Sequence, residues 1–402
     1  MSLRVAIVGG GIGGLAAALW LRRAGVEATV YEQAPEPREV GAGIVVPPNL
    51  VRALRSVGLD AQLPAFAVQL EAAWEFRRWQ HGELLSVQPM GQACVDLYGT
   101  HCYTAHRADL LQMLLQALPA GSVVGDRRCT ALRQEGGEVQ LRFHARDGGQ
   151  HTVVADVAVG ADGIHSAVRA AVVPPATSDK DARFSGLSAF RCLVPAADAP
   201  AMALRPVQTL WLGPGRHFVH YPISAGRLVN VVAIVPAGDW RTESWTAEGQ
   251  VADLAAAFAG WDPRVLQLIH AARDTRRWAL YDRQPLERWS QGHLTLLGDA
   301  AHAMLPFFAQ GAAQAVEDAV VLAACLQGAT PDTAAAALQR YEAIRRPRAS
   351  EVQRMSRGRE VRNHLPDGPE QQQRDAELAR GEPLRQSAWL YGHDVAAALP
   401  PA

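Results

Sequence analysis

The sequence is almost without lysine: Lys180 is the only one, and arginine supplies the rest of the positive charge. Together with abundant alanine this is a bias of overall composition and points to no function. No excess of charge of either sign is present, since the formal net charge is -1. Nucleic acid is therefore not expected as a partner, because a phosphate backbone wants a basic surface. The one arginine-rich stretch, Arg340 to Arg362, is interleaved with Glu342, Glu351 and Glu360 and reads as a solvated helix face. Cysteine is sparse: Cys94, Cys102, Cys129, Cys192 and Cys325 are odd in number and lack CxxC spacing. That pattern fits free thiols in a reducing cytoplasm and gives no metal site. There is no run of about 20 apolar residues free of glycine and charge, so no membrane span is expected.

What the sequence does have is length and core-forming material. With 402 residues, 49% hydrophobic and 20% charged, it can bury two or three packed units. The apolar start, Val5 to Leu21, contains five glycines and has one basic residue before it. A nucleotide-binding strand, turn and helix explain it better than a signal peptide.

Leu3 to Val8 is a short β-branched run suited to a buried parallel strand. Gly9-Gly10-Gly11-Ile12-Gly13-Gly14 follows and matches GxGxxG through Gly9, Gly11 and Gly14. Leu15 to Ala24 reads as a helix stopped by Gly25, and Glu27 to Tyr31 as a second strand with Glu32 at its end. The first glycine permits the tight turn, the second lets backbone approach a pyrophosphate, and the third lets helix and strand pack closely. The helix N-terminus offers free N–H groups to the anion, and Glu32 can accept hydrogen bonds from a ribose. This unit alone does not separate FAD from NAD.

Two later motifs sit at the ends of apolar strands. Val153 to Val159 leads into Gly160-Ala161-Asp162-Gly163-Ile164-His165-Ser166 with Arg169 beyond, and Leu294 to Leu297 leads into Gly298-Asp299-Ala300-Ala301-His302. Each puts an aspartate just past a strand among small residues, where backbone can approach a ligand; a helix N-cap is the plainer alternative. The three motifs in order, with Trp389-Leu390-Tyr391-Gly392-His393-Asp394 near the end, resemble the class A flavoprotein aromatic hydroxylases. That is the family of para-hydroxybenzoate hydroxylase, salicylate hydroxylase, 3-hydroxybenzoate 6-hydroxylase and 6-hydroxynicotinate 3-monooxygenase.

The resemblance implies an α/β chain with a Rossmann-like, non-covalent FAD domain of the para-hydroxybenzoate hydroxylase (GR2) type. An antiparallel β-sheet substrate domain and a helical C-terminal region complete it. It implies further that Glu32 binds the adenosine ribose, that Arg107 lies along the FAD, that Asp162 is a structural hub and that Asp299 bonds the ribityl chain. The helix after Ala309-Gln310-Gly311-Ala312 would aim its N-terminus at the flavin pyrimidine edge, which makes Gly311 and Ala312 flavin contacts. Pro306 would lie near the flavin with its carbonyl close to the substrate, Gln310 would touch substrate or flavin, and His302 would structure its turn. Ala303 stands where many relatives have proline, and Val45 where many have a polar residue.

Between the second and third motifs the sequence changes character. Ala189 to Val194, Thr209 to Leu212, His217 to Tyr221 and Leu228 to Val235 are short β-rich runs punctuated by proline and glycine. With Trp74 to Val87 they are expected to form one sheet, and Glu248 to Ile269 a helix. His217, Val219 and Tyr221 share a strand face by period-two alternation. The resemblance implies that Tyr221 orients or deprotonates a ring hydroxyl and that His217 binds substrate or relays a proton. His220, on the other face, is expected to be exposed or structural. No arginine stands out as a clamp for a substrate carboxylate; Arg191 and Arg216 are the candidates, and an acidic substrate is left open.

The expected division is a discontinuous FAD domain at 1–72, 100–176 and 278–330, a sheet domain at 73–99 and 177–277, and a helical region at 331–402 broken around Pro366 to Arg374. The expected reaction is NADH- or NADPH-dependent hydroxylation of a small aromatic by molecular oxygen through a flavin C4a-hydroperoxide, in a cytoplasmic protein, with a homodimer compatible. The alternatives are a monooxygenase of a larger natural-product aromatic, a flavin reductase or dehydrogenase on the same fold, and a flavin-binding redox sensor.

Overall fold

The computed structural model describes residues 3–36, 42–173, 182–243 and 247–397. The expected boundary at 176–177 and the two extreme ends lie outside them. Arg4–Val8 is buried apart from its first residue and pairs in parallel with Glu27–Tyr31 on one side and Val157–Gly160 on the other. Helix Ile12–Arg23 makes the crossover between the first two, completing a βαβ unit. The full sheet has six strands in the order 290–291, 294–296, 157–160, 4–8, 27–31, 123–124, parallel except at the Ser290–Gln291 edge. Helix Gly311–Leu326, rich in alanine and valine and buried almost all round, packs along Ile12–Arg23. Its small side chains let both helices lie close to the strand ends where the motifs sit.

The second sheet has eight strands in the order 248–249, 275–282, 183–195, 228–236, 216–223, 207–213, 72–78, 84–89. Every junction is antiparallel except that of Ala72–Arg78 with Val207–Gly213, which is parallel because the early segment enters the sheet from the nucleotide unit. Strand Thr275–Asp282 runs across the expected boundary at 278 and pairs with Arg183–Pro195. One face of this sheet packs Trp211 and Phe218 against Phe258, Leu268 and Ile269. His220 belongs to that covered face and is 1% exposed, which removes the exposed alternative and leaves the structural one: helices Val251–Ala257 and Pro263–His270 shut out the water.

Those two helices replace the single one expected over 248–269. Asp262 accepts a hydrogen bond from the Arg264 backbone N–H at 2.9 Å, and Pro263 occupies the first turn, so a new helix must start there. The C-terminal region comprises Pro331–Asn363, Pro369–Arg380, Pro383–Gln386 and Ala388–Tyr391. The break after the long helix is confined to 364–368, shorter than expected, because Pro369 opens the next helix. The solvated face expected from Arg340 to Arg362 is present in part, with Arg340, Glu351 and Arg354 exposed, but other charges of the stretch are buried. Arg345 is 1% exposed and pairs with Glu317 at 2.7 Å and Asp318 at 2.8 Å, while Arg348 bonds Glu317 at 2.9 Å.

Candidate active site

The two sheets face each other across a cavity of about 720 Å³. Its nucleotide end begins at the glycine turn. Gly9 has φ +106°, and a side chain there would strike the Ala161 carbonyl at 2.4 Å, so only glycine permits the turn. A methyl group on Gly14 would lie 1.9 Å from the Gly9 carbonyl oxygen, whereas one on Gly11 would touch nothing. Gly14 therefore serves packing and does not line the cavity, while Gly11 presents open backbone to it. Glu32 is held at the strand end, its carboxylate accepting from the Gly10 N–H at 2.6 Å and the Ala34 N–H at 2.9 Å. Arg107, the first residue of helix Arg107–Gln116, also lines the cavity.

Asp162 lies at the end of Val157–Gly160. Its Oδ2 accepts from the Ala167 N–H at 2.7 Å, while its buried Oδ1 has no partner. Burial pushes its carboxyl above the usual range. The N-cap of the following helix is Ser166, whose hydroxyl accepts from the Arg169 N–H at 2.9 Å. Asp162 adds to that cap through Oδ2, so capping accounts for one of its two oxygens and not for Oδ1. Asp299 follows Gly298 (φ +62°) and is exposed to the cavity. Gly311 and Ala312 open a helix of 16 residues whose N-cap, Gln310, donates no side-chain cap, so its first N–H groups face the cavity unpaired by one. An open glycine cradle, an orphaned carboxylate oxygen and an uncapped helix N-terminus are the features a dinucleotide with a flavin ring would satisfy. The residues present fit FAD.

Beneath this end runs a buried network that the sequence did not reveal. Asp318 receives the His302 ring at 2.6 Å and the Gly298 N–H at 3.0 Å, and Arg345 joins it to Glu317. Glu317 also accepts from Asn49, which bonds the Gln310 amide oxygen at 3.0 Å. Burial opposes both charges, but Arg345 outweighs it, with Arg348 at Glu317 and His302 at Asp318, so both carboxyls are held below their usual range. His302 is thus structural, fixing the turn that carries Asp299. Gln310 is 1% exposed; its oxygen faces Asn49 and its amide nitrogen has no partner.

The other end of the cavity is one face of the large sheet. Register places Arg191, Val232, Val219 and Leu210 side by side on neighbouring strands, with His217 beside Ile234 two residues along. Tyr221 lies opposite Asn230 at the next step the other way. Its ring crosses Gly43, where any Cβ would meet it at 2.7 Å. His217 and Tyr221 are four residues apart, about 13 Å along a strand, so they meet a small ligand at two separate points. Arg191 is partly buried on this face, its guanidinium 4.5 Å from the Trp278 ring, and burial, partly offset by Tyr221, brings it down to about 10. Burial raises the Tyr221 hydroxyl to about 12 against the pull of Arg191. Gln208, not anticipated from the sequence, lines the same face with its side-chain oxygen unpartnered.

Pro306, in the turn Pro306–Phe308, is exposed on the cavity rim with its carbonyl accepting from the Ala309 N–H at 3.2 Å. Val45 lines the cavity, so that position supplies no polar group. Arg216 points away and bonds the Ala257 carbonyl, which leaves Arg191 as the cavity arginine among the two candidates. His217 is 3% exposed, and its Nδ1 lies 2.7 Å from His364 Nε2. A lone histidine after a long helix carries no sequence signal for that contact. No cluster of metal-ligating side chains exists among the described residues, and none of their helices is long and apolar enough to cross a membrane.

A family described as FAD binding domain matches residues 2–356. A 3-amino-4-hydroxybenzoate 2-monooxygenase of Streptomyces platensis is 45% identical over 98% of this chain and 96% of its own. A 6-hydroxynicotinate 3-monooxygenase of Pseudomonas fluorescens is 37% identical over 88% of this chain and 90% of its own. Among solved structures, Klebsiella pneumoniae HpxO complexed with FAD and uric acid superposes with a TM-score of 0.84 at 29% identity, covering 97% of this chain and 96% of that one.

Proposed function

The chain belongs to the FAD-dependent monooxygenases that carry this FAD binding domain, and from that premise we propose that its substrate is a small carboxylated aromatic bearing amino or hydroxyl groups, of the 3-amino-4-hydroxybenzoate type. NADH or NADPH and molecular oxygen are its co-substrates, and its free thiols suit a reducing, cytoplasmic setting. The observation that carries the reading is the single cavity joining the glycine cradle to the sheet face with Arg191, His217 and Tyr221.

FAD bound in the cradle supplies hydride acceptance and oxygen activation. Gly9 and Gly11 would offer backbone to its pyrophosphate, Glu32 would accept from its ribose, and Arg107 and Asp299 would help hold it. The N–H groups at Gly311 and Ala312 stabilise negative charge on the ring. On the substrate side Arg191 pairs with the carboxylate in a desolvated pocket, where a charge-assisted hydrogen bond is strong. Tyr221 and His217 orient ring substituents from two ends, and His217, kept neutral by burial, accepts a proton from one of them. Pro306 and Gln310 border the ring. Trp74 and Leu305 help keep water out. The FAD domain takes 1–72, 100–176 and 283–330, the sheet domain 73–99 and 177–282 with strand Thr275–Asp282, and the helical region 331–402.

The test is oxygen-dependent NADH and NADPH oxidation by the flavin-loaded protein with a panel of amino- and hydroxybenzoates. One compound should stimulate oxidation and yield a product heavier by one oxygen atom. Arg191→Gln should raise KM for that acid about tenfold or more, about 1.4 kcal/mol, and leave bound FAD unchanged. Stimulation by an uncarboxylated ring alone, or peroxide from every compound, would overturn the substrate class.

A further inference from the structure

We propose that His364 forms, with His217, a two-imidazole relay that carries the substrate's proton from the cavity to the protein surface. The inference rests on reading the cavity as the hydroxylation site and adds to it a residue outside the matched family segment, which ends at residue 356. His217 Nδ1 and His364 Nε2 are 2.7 Å apart, short enough that one donates and the other accepts. The rings are near parallel, with centroids 4.9 Å apart at 30°, and the edge of Phe307 closes against both.

The outer nitrogens of the pair are placed at opposite ends. His217 lines the cavity, and its Nε2 is not among the buried nitrogens without a partner, so it opens on that space. His364 ends helix Pro331–Asn363, is only partly buried, and its Nδ1 is likewise not a buried orphan. The contrast is His220, both of whose ring nitrogens are buried and unpartnered. Chance burial of a histidine on this sheet gives a dead end, whereas the His217–His364 pair runs from inside to outside. The backbone holds the alignment too, since the Gly215 N–H donates to the His364 carbonyl at 3.0 Å across the hairpin that carries His217.

The transfer balances without a charged intermediate. A ring hydroxyl gives its proton to His217 Nε2, the proton on His217 Nδ1 passes to His364 Nε2, and the proton on His364 Nδ1 leaves to water or buffer. Each imidazole ends neutral in the opposite tautomer, and the substrate is left as the phenolate. Neutrality is what the surroundings enforce. Burial, then His364 and Arg359, hold His217 well below its usual value, and burial, then Arg374, hold His364 at about 4. Arg359 stacks near Trp74, Phe76 and Phe308, and the charge of Arg374 is shared with Asp375.

The experiment uses flavin-loaded protein and 3-amino-4-hydroxybenzoate as probe, following phenolate formation by rapid-mixing ultraviolet difference spectra. With His364→Gln and His364→Ala, ionisation should slow at least tenfold while the probe's Kd stays within twofold, and added imidazole should restore the rate in His364→Ala. Wild-type rates and pH profile in both variants would overturn the relay, as would a slow rate that imidazole does not restore. If the wild-type protein does not bind the probe, the substrate reading fails by itself. The relay is then judged by nitrogen NMR of the histidines: a His217 tautomer equilibrium that shifts in His364→Gln supports it, and one unmoved overturns it.

Discussion

A methyl group placed on Gly11 would touch nothing, whereas one on Gly14 would lie 1.9 Å from the carbonyl oxygen of Gly9. Two glycines of one motif therefore answer to different forces, and substitution separates them. Gly11→Ala should leave the melting temperature of the flavin-free protein unchanged and weaken FAD binding about tenfold, or about 1.4 kcal/mol, in a fluorescence titration. Gly14→Ala should cost about 3 kcal/mol or more of stability through overpacking, seen as poor soluble yield or a lowered melting temperature before any flavin is added. Residues of this kind were legible in the sequence because each acts within its own strand, turn and helix. Gln208 and His364 were not, because sheet pairing and a distant helix bring them to the cavity, and their immediate neighbours carry no trace of it.

Helix Pro331–Asn363 shows the same limit for an element. Its arginines alternate with glutamates along the sequence, which suggests a face in water, yet Arg345 and Arg348 find their carboxylates on helix Gly311–Leu326. Those pairs straddle Pro347, where an interior proline removes a backbone donor and costs about 3 kcal/mol. Replacing Arg345 with methionine would remove the cation shared by Glu317 and Asp318 in the core. Glu317 would be left to Arg348 and Asn49, and Asp318 to His302 and the Gly298 N–H. A loss of about 3 to 5 kcal/mol is expected by denaturant unfolding, partly recovered by adding Glu317→Gln. Flavin affinity should fall as well, since Asp318 also anchors Gly298 beside Asp299. Strand alternation, by contrast, was read correctly for Arg216–Ile223 because His217, Val219 and Tyr221 needed only a period of two.

Taken whole, the molecule keeps His217, His220 and His364 neutral inside it, His220 at about 3 through burial, with Glu75 opposing and Arg77 and Arg205 assisting. Each takes up its proton near pH 6.5 when unfolded and only at lower pH when folded. Stability is therefore complete above that value and falls as pH drops, by up to about 1.4 kcal/mol per pH unit for each histidine. The depressed carboxyls of Glu317 and Asp318 act in the same direction in more acidic solution. Melting temperature should decline steadily from about pH 7 to pH 5. His220→Phe should flatten that slope, and a slope unchanged by the substitution would remove His220 from the account.

The lining of the cavity starts at Val8 and finishes at Asn363. A ribosome working at about 5 to 20 residues per second needs roughly twenty to seventy seconds to pass between them. Until helix Gly311–Leu326 is made, the glycine cradle exists without the helix N-terminus that faces it across the cavity. A chain cut short before Gly311 is thus expected to keep the glycine turn and yet hold no flavin.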